Sequence, residues 1–167
     1  KWEKNILNIY GEKYCGKTHL SNIFKKKYKA FKIRANEFNS NNLKEFKVFE
    51  NLILEDFDES VDENLMYTLF NIADQDNKFI LINSLIPINQ LNFKLNDFKS
   101  RAKNCLFAKI EKPDDELIFA ILLKNFSDRQ ITIEKKLIDF IIKHIDRSYG
   151  KIYEFIYKID EISLIKK

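Results

Sequence analysis

Glycine is scarce in this 167-residue chain, with only 3, and proline is scarcer still, with 2. That excludes collagen-like and Gly/Ser-linker architectures and leaves few positions for sharp backbone turns. Cysteine occurs only twice, at Cys15 and Cys105, far apart in the chain. A disulfide framework and a cysteine-built zinc site are therefore excluded, and the setting expected is a reducing, cytoplasmic one. No apolar run approaches the roughly 18 residues that a membrane span needs, so no membrane partner is expected. The opening residues, Lys1-Trp2-Glu3-Lys4, have none of the apolar stretch of a signal peptide. Arginine is confined to Arg34, Arg101, Arg129 and Arg147 in a chain rich in lysine, asparagine and isoleucine. In such a background a retained glycine or arginine carries more information than usual.

What is present is an ordinary globular balance, 45% hydrophobic and 32% charged, in a chain the size of one domain with or without a small appendage. The net charge of +4 is mild, and positive residues alternate with acids almost everywhere, so charge permits a nucleic-acid partner without demanding one. The densest basic stretch, Lys25 to Lys29, reads as a solvated helix face, with phosphate contact as the alternative.

Along the chain, short apolar runs alternate with helical spacing. Strands are expected at Ile6–Tyr10, Ala30–Arg34, Asn51–Asp56, Phe79–Ile82 and Leu106–Ile110. Between them, Leu20, Ile23, Phe24 and Tyr28 repeat at helical spacing from Thr18 to Lys29. Leu65, Met66, Leu69, Phe70 and Ala73 do so from Asp62 to Asp74. Asn36 to Asn42 is polar and reads as a loop, and a short segment runs from Leu95 to Arg101. After Pro113 only helical patterns remain: from Asp114 with Leu117, Ile118, Ile121, Leu122 and Phe126, from Ile133 to Ile145, and from Tyr149 to Ile165. Phe140, Ile141, Ile145, Ile152, Phe155 and Ile156 are the expected apolar core of the last two. This pattern predicts a parallel five-stranded α/β domain over residues 1–112 and a small helical domain over 113–167.

Two of the three glycines fall in Gly11-Glu12-Lys13-Tyr14-Cys15-Gly16-Lys17-Thr18, which fits the phosphate-binding pattern G-x-x-x-x-G-K-[ST]. It has the required context, a strand before it and a helix at its end. The glycines let the backbone aim its N–H groups inward, and the helix N-terminus adds partial positive charge. Lys17 would reach the β- and γ-phosphates and the Thr18 hydroxyl would ligate Mg2+. Phosphoryl chemistry also wants acids at the end of a neighbouring buried strand, and Leu52-Ile53-Leu54-Glu55-Asp56 supplies them.

Together these residues resemble the AAA+ ATPases of the DnaA type, and within them the Hda-type DnaA-related regulators in their alphaproteobacterial form. The resemblance is carried by the phosphate loop continuing into Thr18-His19-Leu20, by Leu52-Ile53-Leu54-Glu55-Asp56-Phe57-Asp58, and by Asp62-Glu63 ahead of Asn71-Ile72-Ala73. Leu95-Asn96-Asp97-Phe98-Lys99-Ser100-Arg101, Pro113-Asp114-Asp115-Glu116-Leu117 and Asp128-Arg129-Gln130 extend it. It implies a P-loop NTPase three-layer sandwich followed by a helical lid. By resemblance, ADP or ATP would be held by Gly11, Tyr14, Cys15, Gly16, Lys17, Thr18 and His19, and Mg2+ by Thr18, Glu55 and Asp56. Asp56, Asn83 in the sensor 1 place, and Arg101 as an arginine finger acting on a neighbouring subunit would be catalytic. Two departures stand out: Glu55 replaces the usual aspartate, and Gly150 falls where the lid's sensor 2 arginine belongs, with Arg147 and Lys151 nearby but out of register.

The resemblance further implies a regulator of replication initiation that binds nucleotide and promotes hydrolysis of ATP on the initiator DnaA, with a sliding clamp as second partner and a possible homo-oligomer. Its own turnover would be weak or partner-dependent. The clamp-binding motif and adenine-side segment of such proteins would lie ahead of Lys1, so both ends are expected to be cut short. Gln90-Leu91-Asn92-Phe93 echoes a clamp motif only superficially. No helix-turn-helix follows the lid, so sequence-specific duplex binding by this chain is not expected. The alternatives are an ATPase loader or motor acting on single-stranded DNA or helicase, and a nucleotide-free interaction scaffold.

Overall fold

A computed structural model describes residues 3–165, with side chains described as far as residue 162. The readings at Lys1-Trp2 and Lys166-Lys167 lie outside the described residues. The chain divides into two units: residues up to Gly11 together with Gly16–Ile110, and Glu12–Cys15 together with the residues from Glu111 onward. The expected division after residue 112 has no counterpart for the phosphate-loop tip, which groups with the helices.

In the first unit, β1 (Ile6–Tyr10), β2 (Phe31–Arg34), β3 (Asn51–Phe57), β4 (Phe79–Ser84) and β5 (Leu106–Lys109) form one parallel sheet in the order β2-β3-β4-β1-β5. Parallel neighbours need crossovers, and α1 (Lys17–Tyr28), α2 (Ser40–Val48), α3 (Glu63–Gln75) and α4 (Asn96–Lys103) lie between successive strands. Alternate residues of β3 and β4 face opposite ways. Leu52, Leu54, Ile80 and Ile82 pack with Phe46, Met66, Phe70 and Phe98, whereas Ile53 and Leu81 pack with Phe24 of α1. Both faces are thus covered, which makes a three-layer α/β sandwich and explains why β3 reads as an unbroken apolar run. Because β1 pairs with β4 on one side and β5 on the other, the strand order reverses beside it, and the loop after β1 opens at that switch point.

Two elements depart from the expectation. The polar stretch expected to be a loop contains a 3-10 turn, Ala35–Glu37, and then α2. The Asn39 side-chain oxygen accepts from the Asn41 N–H at 2.9 Å, and the Asn39 backbone N–H donates to Asn42 Oδ1 at 2.9 Å. Asparagines that suggest a loop are therefore acting as a reciprocal helix cap, and Phe46 on the same helix is wholly buried. On α1 the apolar face is not the buried one. Leu20, Ile23 and Tyr28 are exposed, and the helix meets the sheet through buried Ser21 and half-buried Phe24.

The second unit holds α5 (Asp115–Asp128), α6 (Lys135–His144) and α7 (Tyr149–Ile165), with α7 continuous through Gly150. Asp114 caps α5 by accepting from the Leu117 N–H at 2.8 Å. Its core is Ile118, Leu122, Phe126, Ile138, Ile141, Ile152 and Ile156. Phe140, expected in that core, is instead exposed, with its ring against His144 four residues on, and Ile138 takes the inward position. Among the described residues no helix is long and apolar enough to cross a membrane.

Candidate functional site

The carboxyl ends of β1, β3 and β4 bring the sequence motifs together. Ile9 of β1 is level with Asn83 of β4, and Tyr10 with Ser84. On β3 the register slips between Leu54 and Phe57, and Asp56 within this bulge has a left-handed backbone, φ 53°. The bulge separates the two acids. Glu55 is turned inward and buried, and Asp56 is exposed. Aspartate tolerates this conformation better than most residues.

Behind the sheet end, Asn8 organises the strand tips. Its amide nitrogen donates to Ser84 Oγ at 2.8 Å and to the Ile82 carbonyl at 3.2 Å, while its Oδ1 accepts from the Ile88 N–H at 3.0 Å. A polar residue inside an apolar run thus fixes the end of β4 and the loop after it. The same loop is tethered at its far end, where the Glu63 carboxylate accepts from the N–H groups of Lys94 and Leu95. Those backbone bonds, Leu95 first, hold the Glu63 carboxyl below its ordinary range. Phe93 lies in the aromatic core against Phe98 at 4.7 Å, so the Gln90–Phe93 segment carries a structural anchor.

The phosphate loop leads into α1 through Gly16, whose φ of 95° puts it in the left-handed region that a residue with a Cβ rarely adopts. No side chain caps α1, as none caps α4 or α6, whereas α2, α3 and α5 are capped by Asn39, Asp62 and Asp114; the first turn of α1 also holds no acid. The leading N–H groups and the helix dipole are therefore directed at an anion site. The Lys17 ammonium donates to the Gly11 carbonyl at 2.7 Å, and His19 is exposed on the first turn. In the second unit the loop tip has its own contacts. Glu12 accepts from Ser148 Oγ and from the Tyr149 N–H, each at 2.9 Å, at the start of α7. Tyr14, at φ 67°, stacks on Tyr153 with centroids 4.5 Å apart, and Cys15 is buried.

Glu55 is the hub of the first unit's polar cluster. Its Oε2 accepts from Thr18 Oγ1 at 3.2 Å and from the Asn83 amide at 3.1 Å, and Asn83 also donates to Ser21 Oγ at 2.7 Å. A carboxylate only accepts, so the Asn83 nitrogen must face it. That leaves Asn83 Oδ1 buried with no hydrogen-bond partner. Lys32 of β2, which sequence reasoning missed, places its ammonium 2.9 Å from Glu55 Oε1 as an ion pair without an aligned hydrogen bond. It also donates to Asn22 Oδ1 of α1 at 2.8 Å. Burial alone would raise the Glu55 carboxyl, but the Lys32 ammonium beside it and hydrogen bonds from Asn83 and Ser21 outweigh it, and the group sits below its ordinary value. Nothing in the linear sequence marks Lys32, one lysine among many. Only the register of β2 against β3 brings it to the acid.

The donor set expected for Mg2+ can now be tested against this geometry. Thr18 and Glu55 do meet, but both Glu55 oxygens are engaged and one faces an ammonium. Asp56 is on the exposed side of the bulge, and among the described residues no cluster of three or more His, Cys, Asp or Glu side chains is placed to hold a metal. As arranged, of the three residues expected to hold magnesium, Thr18 and Glu55 stand together, with the Glu55 carboxylate committed to protein donors, and Asp56 stands apart. Arg101 lies elsewhere in the first unit, on α4, ion-paired with Asp74 of α3 and partly exposed. Cys105, buried nearby, has its thiol pushed up to about 12 by burial and is chemically inert.

No protein-family model and no curated protein matches this chain. Solved structures do. A DNA replication initiation factor is 22% identical over 97% of this chain, with a TM-score of 0.74. The replication initiator DnaA bound to AMPPCP and single-stranded DNA is 20% identical over 93%, with a TM-score of 0.70. The Thermotoga maritima RuvB Holliday junction branch migration motor is 14% identical over 97%, with a TM-score of 0.71. The chain spans a little over half the length of each, 56%, 55% and 56%. At these identities the likeness is one of fold: a parallel five-stranded sheet with helices on both faces, as in these DnaA and RuvB structures.

Proposed function

We propose that this chain is a DnaA-related nucleotide-binding module that acts as a regulator of replication initiation and not as a motor. The observation that carries nucleotide binding is the uncapped α1 N-terminus, reached through left-handed Gly16 and flanked by Lys17 and Thr18. The likeness to a DnaA solved with AMPPCP supports it. ADP or ATP would supply anionic phosphate oxygens. The backbone N–H groups after Gly16 would bind them, Lys17 would exchange its Gly11 carbonyl for a phosphate oxygen, and Asn83 Oδ1 would hold a water.

The engaged state of Glu55 favours holding nucleotide over turning it over, because an acid neutralised inside the fold is poorly placed to activate water. In this reading Arg101 leaves Asp74 to meet the nucleotide of a neighbouring DnaA. There it gives the charge developing on the γ-phosphoryl group a partner during in-line attack by water. Calorimetry with ADP and ATP is the first test. Lys17→Ala is expected to weaken binding at least about a hundredfold, or roughly 2.7 kcal/mol. Arg101→Ala is expected to keep nucleotide binding and lose stimulation of DnaA-bound ATP hydrolysis. Steady-state turnover stimulated by single-stranded DNA would instead favour the motor reading, and absence of any nucleotide binding would leave a scaffold.

A further inference from the structure

We propose that Lys32 is a built-in cation of this site, standing in for a divalent metal at Glu55, so that the chain binds its nucleotide without magnesium. The proposal rests on the nucleotide-binding reading above and adds which cation the site uses.

Four elements converge on the Glu55 carboxylate: Thr18, Ser21 and Asn22 from α1, Lys32 from β2, Glu55 from β3 and Asn83 from β4. A hydrated magnesium beside a phosphate loop needs carboxylate lone pairs and an oxygen shell of near-octahedral shape. Here Oε2 is shared between Thr18 and Asn83, and Oε1 faces the Lys32 ammonium at 2.9 Å. Lys32 is itself anchored at a second point by Asn22, so the ammonium is fixed between two acceptors and is not a wandering surface charge. Its side chain is 19% exposed and that of Glu55 8%. A dication approaching Glu55 would meet the Lys32 ammonium already seated on the carboxylate. With Lys32 on the acid, the carboxylate that a metal would lean on is already neutralised by the chain.

The test is ADP affinity by calorimetry on the full chain, in excess Mg2+ and in EDTA. The expected result for the natural sequence is agreement within about twofold, with Lys32→Arg behaving the same. Lys32→Met is expected to create a magnesium dependence of about tenfold or more, equivalent to roughly 1.4 kcal/mol. Lys32→Gln, which keeps a hydrogen-bond donor, is the milder variant should Lys32→Met fail to fold, with the same dependence expected. A tenfold or greater loss of affinity of the natural chain in EDTA overturns the proposal while leaving nucleotide binding intact. No magnesium dependence in Lys32→Gln overturns the role given to Lys32. Absence of ADP binding in both buffers overturns the nucleotide reading and this proposal with it.

Discussion

The two units bury different chemistry. Among the described residues every buried polar side chain, Asn8, Ser21, Asn51, Glu55, Asn83 and Ser84, belongs to the α/β unit, whereas the helical unit's buried core is apolar throughout. Buried polar groups are costly unless satisfied, so a fold that collects six of them must arrange partners across several strands. The helical unit needs only shape and volume. Of the six, Glu55, Asn83 and Ser84 lie at the carboxyl ends of β3 and β4, with Ser21 of α1 and Asn8 of β1 bonded to them, so constraint other than packing is concentrated there.

Breaking each kind of core separately should expose the difference. The largest effect is expected from Phe126→Ala in the helical core, a loss of about 3–5 kcal/mol from the missing ring and the cavity it leaves. Chemical denaturation should return the same cost at pH 7 and pH 4, because no titrating group is involved. Glu55→Gln should cost somewhat less at neutral pH, about 3 kcal/mol, by leaving Lys32 without its counter-charge. That cost must depend on pH. The folded-state carboxyl lies below its ordinary value of 4.5, so its contribution is complete above that value and is lost as pH falls through the lower one. The difference between Glu55→Gln and the natural chain should therefore shrink in acid. A cost that persisted unchanged would mean that the pair contributes shape alone. The smallest effect is expected from Asn39→Ala, about 1 kcal/mol for a lost helix cap, measured by the same method.

The sheet was legible because its strands are short apolar runs separated by helical periodicity, and the order of those segments allows few topologies. The helix from Ser40 was not legible, since asparagine favours loops and caps alike, and only the contact between Asn39 and Asn42 distinguishes them. Phe140 shows a similar limit. Its spacing admits either a buried or an exposed face, and the rotation of α6 that places Ile138 inward is set by neighbouring helices.

By itself the sequence determined the phosphate loop, because the φ of 95° at Gly16 is one that side-chain-bearing residues rarely adopt and the motif's spacing is local. It also determined the alternation of strands and helices and the presence of two acids at the end of β3, all properties of near neighbours in the chain. Tertiary structure alone decided which acid faces inward, since a one-residue bulge reverses the outcome for Glu55 and Asp56. It alone decided that Arg101 is held by Asp74 and that Lys32 neutralises Glu55. Those pairings depend on the register between strands and the packing between helices, and a charge carries no mark in the sequence of the distant partner that will meet it.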